Sequence, residues 1–381
     1  MISALIFWTS FTVIVYHYAV FVLIIYVLSA VKKNTPLKGN DLPFVSIIVA
    51  AYNEEKVIAR KILNSFALDY PKDKMEIIVV SDGSTDDTPA IVKSFKPQEV
   101  ICVHDPIRRG KSMALNRAVN RSTGKILFFT DANTILEKSC MRKLVRNFSD
   151  GGVGGVSGKK DINKDLKNRS ASLGDKTYWQ FESALKLRQS QINSISTADG
   201  EVFAIRRCLY EDLPDGTIND DSTITIDIVR KGYRVVYEPE AISSEEASIT
   251  LEDDFNVKAR MVYGGLQVIQ RYMNILNISH CYFIFQFLSH KALRYTMPIF
   301  LLLLLGSNVF LTGELYSAFL VAQMLFYLSA AVGFYQYKTG DRQTIFYYPL
   351  YYTMVNLAAL KGIMFFLNNI SPNEVWKKAL R

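Results

Sequence analysis

The rhythm of apolar and polar positions changes several times along the chain. Residues 4–31 are an almost unbroken apolar run that stops at Lys32 and Lys33. That is long enough to cross a bilayer once. No basic segment precedes it and no small-residue cleavage site follows, so residues 1–33 read as an uncleaved membrane anchor rather than a signal peptide. From 40 to 254 the pattern is that of a globular domain. From 255 to 295 apolar and basic positions alternate at helical spacing, with Tyr272, Tyr282, His290 and Lys291 among them. This predicts one or two amphipathic helices on a membrane surface. Residues 296–370 are apolar again, with about three segments near 296–312, 315–336 and 344–368, and 371–381 form a basic tail.

Within the globular stretch, short β-branched runs alternate with helical periodicity. Phe44–Ala50, Glu76–Val80, Val100–Val103 and Lys125–Thr130 read as buried strands. Asn53–Leu68, Thr88–Phe95 and Lys111–Val119 read as the helices between them. Such alternation predicts an α/β fold with a mostly parallel sheet. In such sheets ligands bind beyond the carboxyl ends of the strands. The polar clusters after Ala50, Val80 and Thr130 fall there, which points to a nucleotide-type site. The glycine-rich stretch Gly151–Gly155 lacks a phosphate-loop lysine and reads as a plain loop.

Charge adds an orientation. Lys32, Lys33 and Lys38 follow the first apolar run, so the positive-inside rule places the globular domain in the cytoplasm of a multi-pass protein of the inner or plasma membrane. Lys338 and Arg342 agree with that orientation. A third spanning C-terminal segment would place Lys377, Lys378 and Arg381 outside, so that segment is re-entrant or interfacial, or the tail breaks the rule. The net charge of +8 suits contact with anionic lipid. No basic helix or RNA-binding signature accompanies it, which argues against a nucleic-acid partner. The four cysteines have no metal-type spacing and read as free thiols.

The strand ends carry the chemistry. Tyr52-Asn53-Glu54 follows the first strand and Asp82-Gly83-Ser84 the second; Gly110-Lys111 opens a helix, and Asp131-Ala132-Asn133 follows the fourth strand. Together they offer an aromatic face, carboxylates, a cation for phosphate and a place for a hard metal ion. Asp-Gly-Ser-Thr-Asp-Asp alone is an ordinary turn and helix-cap sequence. The ordered set is what makes it informative.

That set resembles family 2 glycosyltransferases of the GT-A fold, over roughly residues 44–262. The resemblance implies that Tyr52, Glu54 and Asp82 hold the nucleoside of a nucleotide-sugar and that Lys111, near Leu115 and Asn116, faces its diphosphate. The family's Asp-x-Asp metal motif is matched by Asp131 and Asn133, implying Mg²⁺ or Mn²⁺ with Asp131 the firmer ligand. Asn219-Asp220-Asp221 resembles the acidic pair that ends in the catalytic base, which makes Asp221 that base and Asp220 its neighbour. Asp199, Gly200 and Glu201 lie where the family builds its acceptor side. The Gln-x-x-Arg-Trp motif of polymerising members is reduced here to Arg260, followed by Met261. The lost glutamine and tryptophan weigh against processive synthesis.

The resemblance implies an inverting, membrane-embedded transferase that moves a sugar, UDP-linked by family likelihood, to a growing exocellular polysaccharide. Its partners would be the donor, a saccharide or lipid-linked acceptor, membrane lipids and an accessory export subunit. Two alternatives stay open: transfer of a single sugar to a lipid acceptor, and a catalytically inactive scaffold of a synthase complex. His17 and His290 find no partner by spacing and read as structural. A transporter would need repeated helices that the pattern lacks.

Overall fold

The computed structural model describes residues 1–163, 169–246, 250–272, 280–340 and 344–375. Arg342, Lys377, Lys378 and Arg381, on which the orientation argument drew, lie outside the described residues. The sheet has eight strands among the described residues: β1 (Val45–Ala51), β2 (Met75–Asp82), β3 (Val100–Asp105), β4 (Ile126–Asp131), β5 (Ile135–Leu136), β6 (Val153–Asn163), β7 (Phe203–Arg206) and β8 (Arg234–Glu246). Their order is β3-β2-β1-β4-β7-β6-β8-β5. The β1–β2, β1–β4, β2–β3 and β6–β8 pairings are parallel, and the other three are antiparallel. The helices that bear on the site are α1 (Ile58–Phe66), α2 (Lys111–Arg121), α3 (Arg169–Ile192), α4 (Asp220–Arg230) and α5 (Leu251–Tyr272).

Side chains alternate across β1 as a strand buried on both faces requires. Val45, Ile47 and Val49 join the core beneath α1, while Ile48 joins the core beneath α2. The first of these helices starts later than the sequence predicts, at Ile58 rather than Asn53. Residues 53–55 are held by the loop after β2 instead: the Asn53 amide N–H donates to Ser84 Oγ at 3.1 Å, and Asn53 Oδ1 accepts the Thr85 N–H at 2.8 Å. The Glu55 N–H donates to Asp86 Oδ2 at 3.1 Å, while Glu55 Oε2 accepts from the Asp87 N–H at 3.2 Å.

Gly151–Gly155 is not a plain loop, because β6 begins at Val153. A Cβ on Gly154 would stand 2.6 Å from Leu209 Cδ1 and 2.7 Å from Ile228 Cγ2. The glycine lets α4 pack close against the sheet, and turn-like composition here marks tight packing.

The boundary drawn between 295 and 296 falls inside a helix. Cys281–Asn308 is one continuous helix that contains a π-turn at Leu288–Ala292. Its basic residues are not turned toward a surface. Lys291 and Arg294 reach the buried Glu182 carboxylate of α3 at 3.1 and 2.7 Å, and His290 reaches it at 3.1 Å. Helix α5 likewise has neighbours on two sides. At Gly264 it approaches Asn219, and at Ala259 and Val262 it meets Gly362 of the last apolar helix.

Among the described residues, four helices are long and apolar enough to cross a membrane: Ile2–Val31, Cys281–Asn308, Glu314–Thr339 and Ile345–Leu367. All four cysteines are free.

Candidate active site

The parallel register brings three polar loops to one edge. Ala51 of β1 is level with Ser81 of β2, and Ala50 is level with Asp131 of β4. The chain therefore leaves all three strands side by side, at their carboxyl ends.

The first group of polar residues lies where the β1 and β2 loops meet. The Arg108 guanidinium lies over the Tyr52 ring, 4.3 Å from its centroid. Asp82 is 5% exposed, and its oxygens face the protein itself. They accept from the Arg109 N–H at 3.1 Å and the Gly110 N–H at 2.7 Å, and they pair with Arg117. Asp82 thus shapes the loop that delivers Lys111. The Glu54 N–H donates to Thr88 Oγ1 at 2.8 Å, a contact that fixes the same junction. Gly83, with φ of +68°, is needed here, since a Cβ would come within 2.6 Å of the Arg108 backbone nitrogen.

Lys111 sits at the centre of the acids. Its Nζ is 3.0 Å from Asp131 Oδ1 and 3.4 Å from Asp220 Oδ2. Burial alone would depress its pKa, but Asp131, Asp220 and Asp221 outweigh that and hold the ammonium above the usual lysine range. Asp220 and Asp221 open α4, where unpaired N–H groups favour carboxylates. Asp221 keeps partial exposure, and its Oδ1 accepts from the Ser222 N–H at 2.6 Å. Its pKa is raised to about 6, first by burial and next by repulsion from Asp220, against the pull of Lys111.

Asn219 does not cap its helix with its side chain; it donates to the Met261 carbonyl at 2.9 Å. This draws α5 in beside the acids. Burial lowers the Arg260 pKa, and the fields of Asp131 and Asp220 oppose that.

The 199–201 loop crosses the acid pair. A Cβ on Gly200 would stand 3.4 Å from Asp221 Cβ and 3.7 Å from Asp220 Oδ2. Asp199 and Glu201 are paired with Lys186 and Lys160 respectively. The Glu201 pKa is raised, chiefly by burial, with Asp199 and Asp131 adding to it and Lys160 opposing. Asn133 donates through Nδ2 to Glu245 Oε1 at 2.8 Å.

Several residues that sequence reading missed complete the site. Lys61 is fully buried and donates to Thr130 Oγ1 at 2.7 Å and the Thr134 carbonyl at 2.8 Å, on either side of Asp131–Asn133. Its signal was a lysine within the inward stripe Ile58, Ile62, Ser65. Lys160, Glu245 and Arg117 were hidden, because their partners lie far away in sequence. The Trp179 ring of α3 lies 5.0 Å from Nζ of Lys160, the partner of Glu201, and 5.8 Å from Lys258 Nζ.

Among the described residues no group of three His, Cys, Asp or Glu side chains forms a metal cage. One carboxylate from Asp131 and an amide oxygen from Asn133 still suit a hard divalent cation. Such ions commonly take one or two protein oxygens and fill the rest with substrate phosphate and water.

The chain is similar in fold to a mannosyltransferase from Pyrobaculum calidifontis, solved in complex with GDP-Man and Mn²⁺. The TM-score is 0.74 at 21% identity, covering 96% of this chain and 99% of the other. The fold is therefore the GT-A fold. Residues 46–213 match the family model for glycosyl transferase family 2, so the chain carries a family 2 glycosyltransferase domain. Among curated relatives, the "Probable glycosyltransferase YdaM" of Bacillus subtilis is 29% identical over 307 residues, 77% of this chain and 70% of that protein. The poly-beta-1,6-N-acetyl-D-glucosamine synthase of Staphylococcus aureus is 26% identical over 250 residues, 64% of this chain. That match spans 59% of the synthase's own length.

Proposed function

We propose that this glycosyltransferase is an inverting, membrane-embedded enzyme that moves a sugar from a nucleoside diphosphate, UDP foremost, to a growing exocellular polysaccharide. One observation carries the reading: the partly exposed Asp221, its pKa raised to about 6, stands beside Asp220 within reach of the field of Lys111. A carboxylate near neutrality is suited to general-base work.

In this reading the Asp221 carboxylate takes the proton of an acceptor hydroxyl as its oxygen attacks the anomeric carbon. The bond from that carbon to the nucleotide breaks on the opposite face. The departing diphosphate gains charge, which Lys111 and Arg260 offset. Asp131 and Asn133 would hold a divalent cation that supplies further charge neutralisation to the diphosphate. Tyr52, Glu54 and the loop fixed by Asp82 form the nucleoside end. Asp199, Gly200, Glu201 and Trp179 line the acceptor side. The match to a polysaccharide synthase and the four long apolar helices support polymer export at a membrane, with the domain between the first helix and the others facing the cytoplasm.

The test is donor turnover by the full chain in detergent with lipid and Mg²⁺ or Mn²⁺, screening nucleotide-sugars for nucleotide release and for label in polymer and lipid fractions. Metal-dependent release with polymer label is expected. Label in lipid alone would replace the polymer by a lipid acceptor. Donor binding without any release would favour the scaffold.

A further inference from the structure

Asn133 is where this chain departs from a two-acid metal motif, and its surroundings explain the departure. Its Nδ2 donates to Glu245 Oε1 at 2.8 Å. An ionised carboxylate only accepts, so the amide must present its NH₂ end to Glu245 and turn its carbonyl oxygen to the other side. Glu245 is itself fixed. It is 4% exposed and pairs with Lys160, whose Nζ also lies 3.0 Å from Glu201. One ammonium thus already serves two buried carboxylates. An aspartate in place of Asn133 would add a third beside Glu245, and like charges at hydrogen-bond distance disfavour joint ionisation.

We propose that Glu245, held by Lys160, is a positioning residue that selects an amide at position 133 and aims its carbonyl oxygen as the second cation ligand beside Asp131. Asparagine is then the working residue of this site. The inference rests on the metal-dependent transferase reading. It leads to an unusual expectation: restoring the two-acid motif with Asn133→Asp harms the site unless Glu245 is neutralised too.

The test is Mn²⁺ titration by electron paramagnetic resonance on the full detergent-purified chain with UDP or GDP present, together with thermal midpoints. The variants are Asn133→Asp, Glu245→Gln and their combination. Asn133→Asp is expected to weaken Mn²⁺ about tenfold, the scale of outer-shell effects on metal affinity. Glu245→Gln frees the amide to flip and is expected to weaken Mn²⁺ by roughly the same order. In the double variant the donor and acceptor trade places, with the new amide at position 245 donating to the new carboxylate at position 133. It is expected to return to within about threefold of the parent, far less than the loss from either change alone. If Asn133→Asp alone tightens Mn²⁺, or the double variant shows the two losses multiplied, the proposal fails. If thermal midpoints fall while Mn²⁺ affinity holds, Glu245 is only a folding support and the proposal fails. A parent protein that binds nucleotide with no Mn²⁺ dependence overturns the metal reading itself, a result distinct from the others.

Discussion

The Lys111 ammonium bridges two acids of different duty: Asp131 Oδ1 at 3.0 Å and Asp220 Oδ2 at 3.4 Å. One belongs to the loop assigned to the cation, the other to the pair assigned to proton transfer. Lys111 therefore neutralises the cluster, and a cation held at Asp131 would have to compete with it for that carboxylate. Lys111→Met is expected to tighten Mn²⁺ binding in the absence of nucleotide, because that competition is gone. Donor turnover should fall by about 10²-fold or more as the leaving diphosphate loses a cation. Manganese titration without nucleotide, beside kcat, checks both halves.

As the proposed base, Asp221 would give the enzyme a pH signature. A base must be ionised, so kcat/KM should rise with pH through a midpoint near the raised value of about 6. Asp220→Asn removes the largest electrostatic cause of that rise and should shift the midpoint down. A stability effect of opposite sense accompanies it. An acid whose folded pKa is raised binds its proton more tightly in the folded state, so stability is lost as pH rises toward and through the folded value. Asp221→Asn should therefore raise the thermal midpoint at pH 8 relative to the parent, and raise it less at pH 4.

Lys61 carries the reverse linkage. Burial lowers its pKa to about 7, against the pull of Asp131. Between that value and the ordinary lysine range, the unfolded chain binds the extra proton. Stability therefore rises with pH across that window. Lys61→Met should flatten that rise in a thermal midpoint series from pH 7 to pH 10. Replacing a buried charge by an apolar side chain is often neutral for stability. The cost should instead appear in kcat, because the Thr130 and Thr134 anchors of the Asp131 loop are lost.

Gly83 tests the nucleoside end. A methyl group there meets the Arg108 backbone, and its φ of +68° is strained for any other residue. Gly83→Ala should cost about 1–3 kcal/mol of stability and raise KM for the donor more than it lowers kcat. Urea unfolding and donor titration separate the two effects.

The sequence was most readable where its signals were local. β1, β2 and β4 are short apolar runs stopped by polar clusters, and the acids, Lys111 and Asp131 sit at the boundaries of those elements. The antiparallel half was harder. Gly154 and Gly155 look like a turn, yet they lie in β6 because a neighbouring helix presses on them. Pairings across long distances left no trace in spacing. His290 meets Glu182 over 108 residues, and His17 Nδ1 lies 3.0 Å from the Ser289 carbonyl over 272. Lys291 and Arg294 looked amphipathic for the same reason, since their shared acid belongs to another helix. Asp82 looked like a ligand-facing carboxylate because the loop that consumes its oxygens begins more than twenty residues later.

The most direct test of the account is the stereochemistry of transfer, read by nuclear magnetic resonance of the product's anomeric carbon for the parent and Asp221→Asn. The parent should invert the donor's configuration, and Asp221→Asn should lose transfer by about 10²–10⁴-fold while still binding donor, the range expected for a general base. Retention of configuration, or an Asp221→Asn enzyme that transfers at the parental rate, would contradict it.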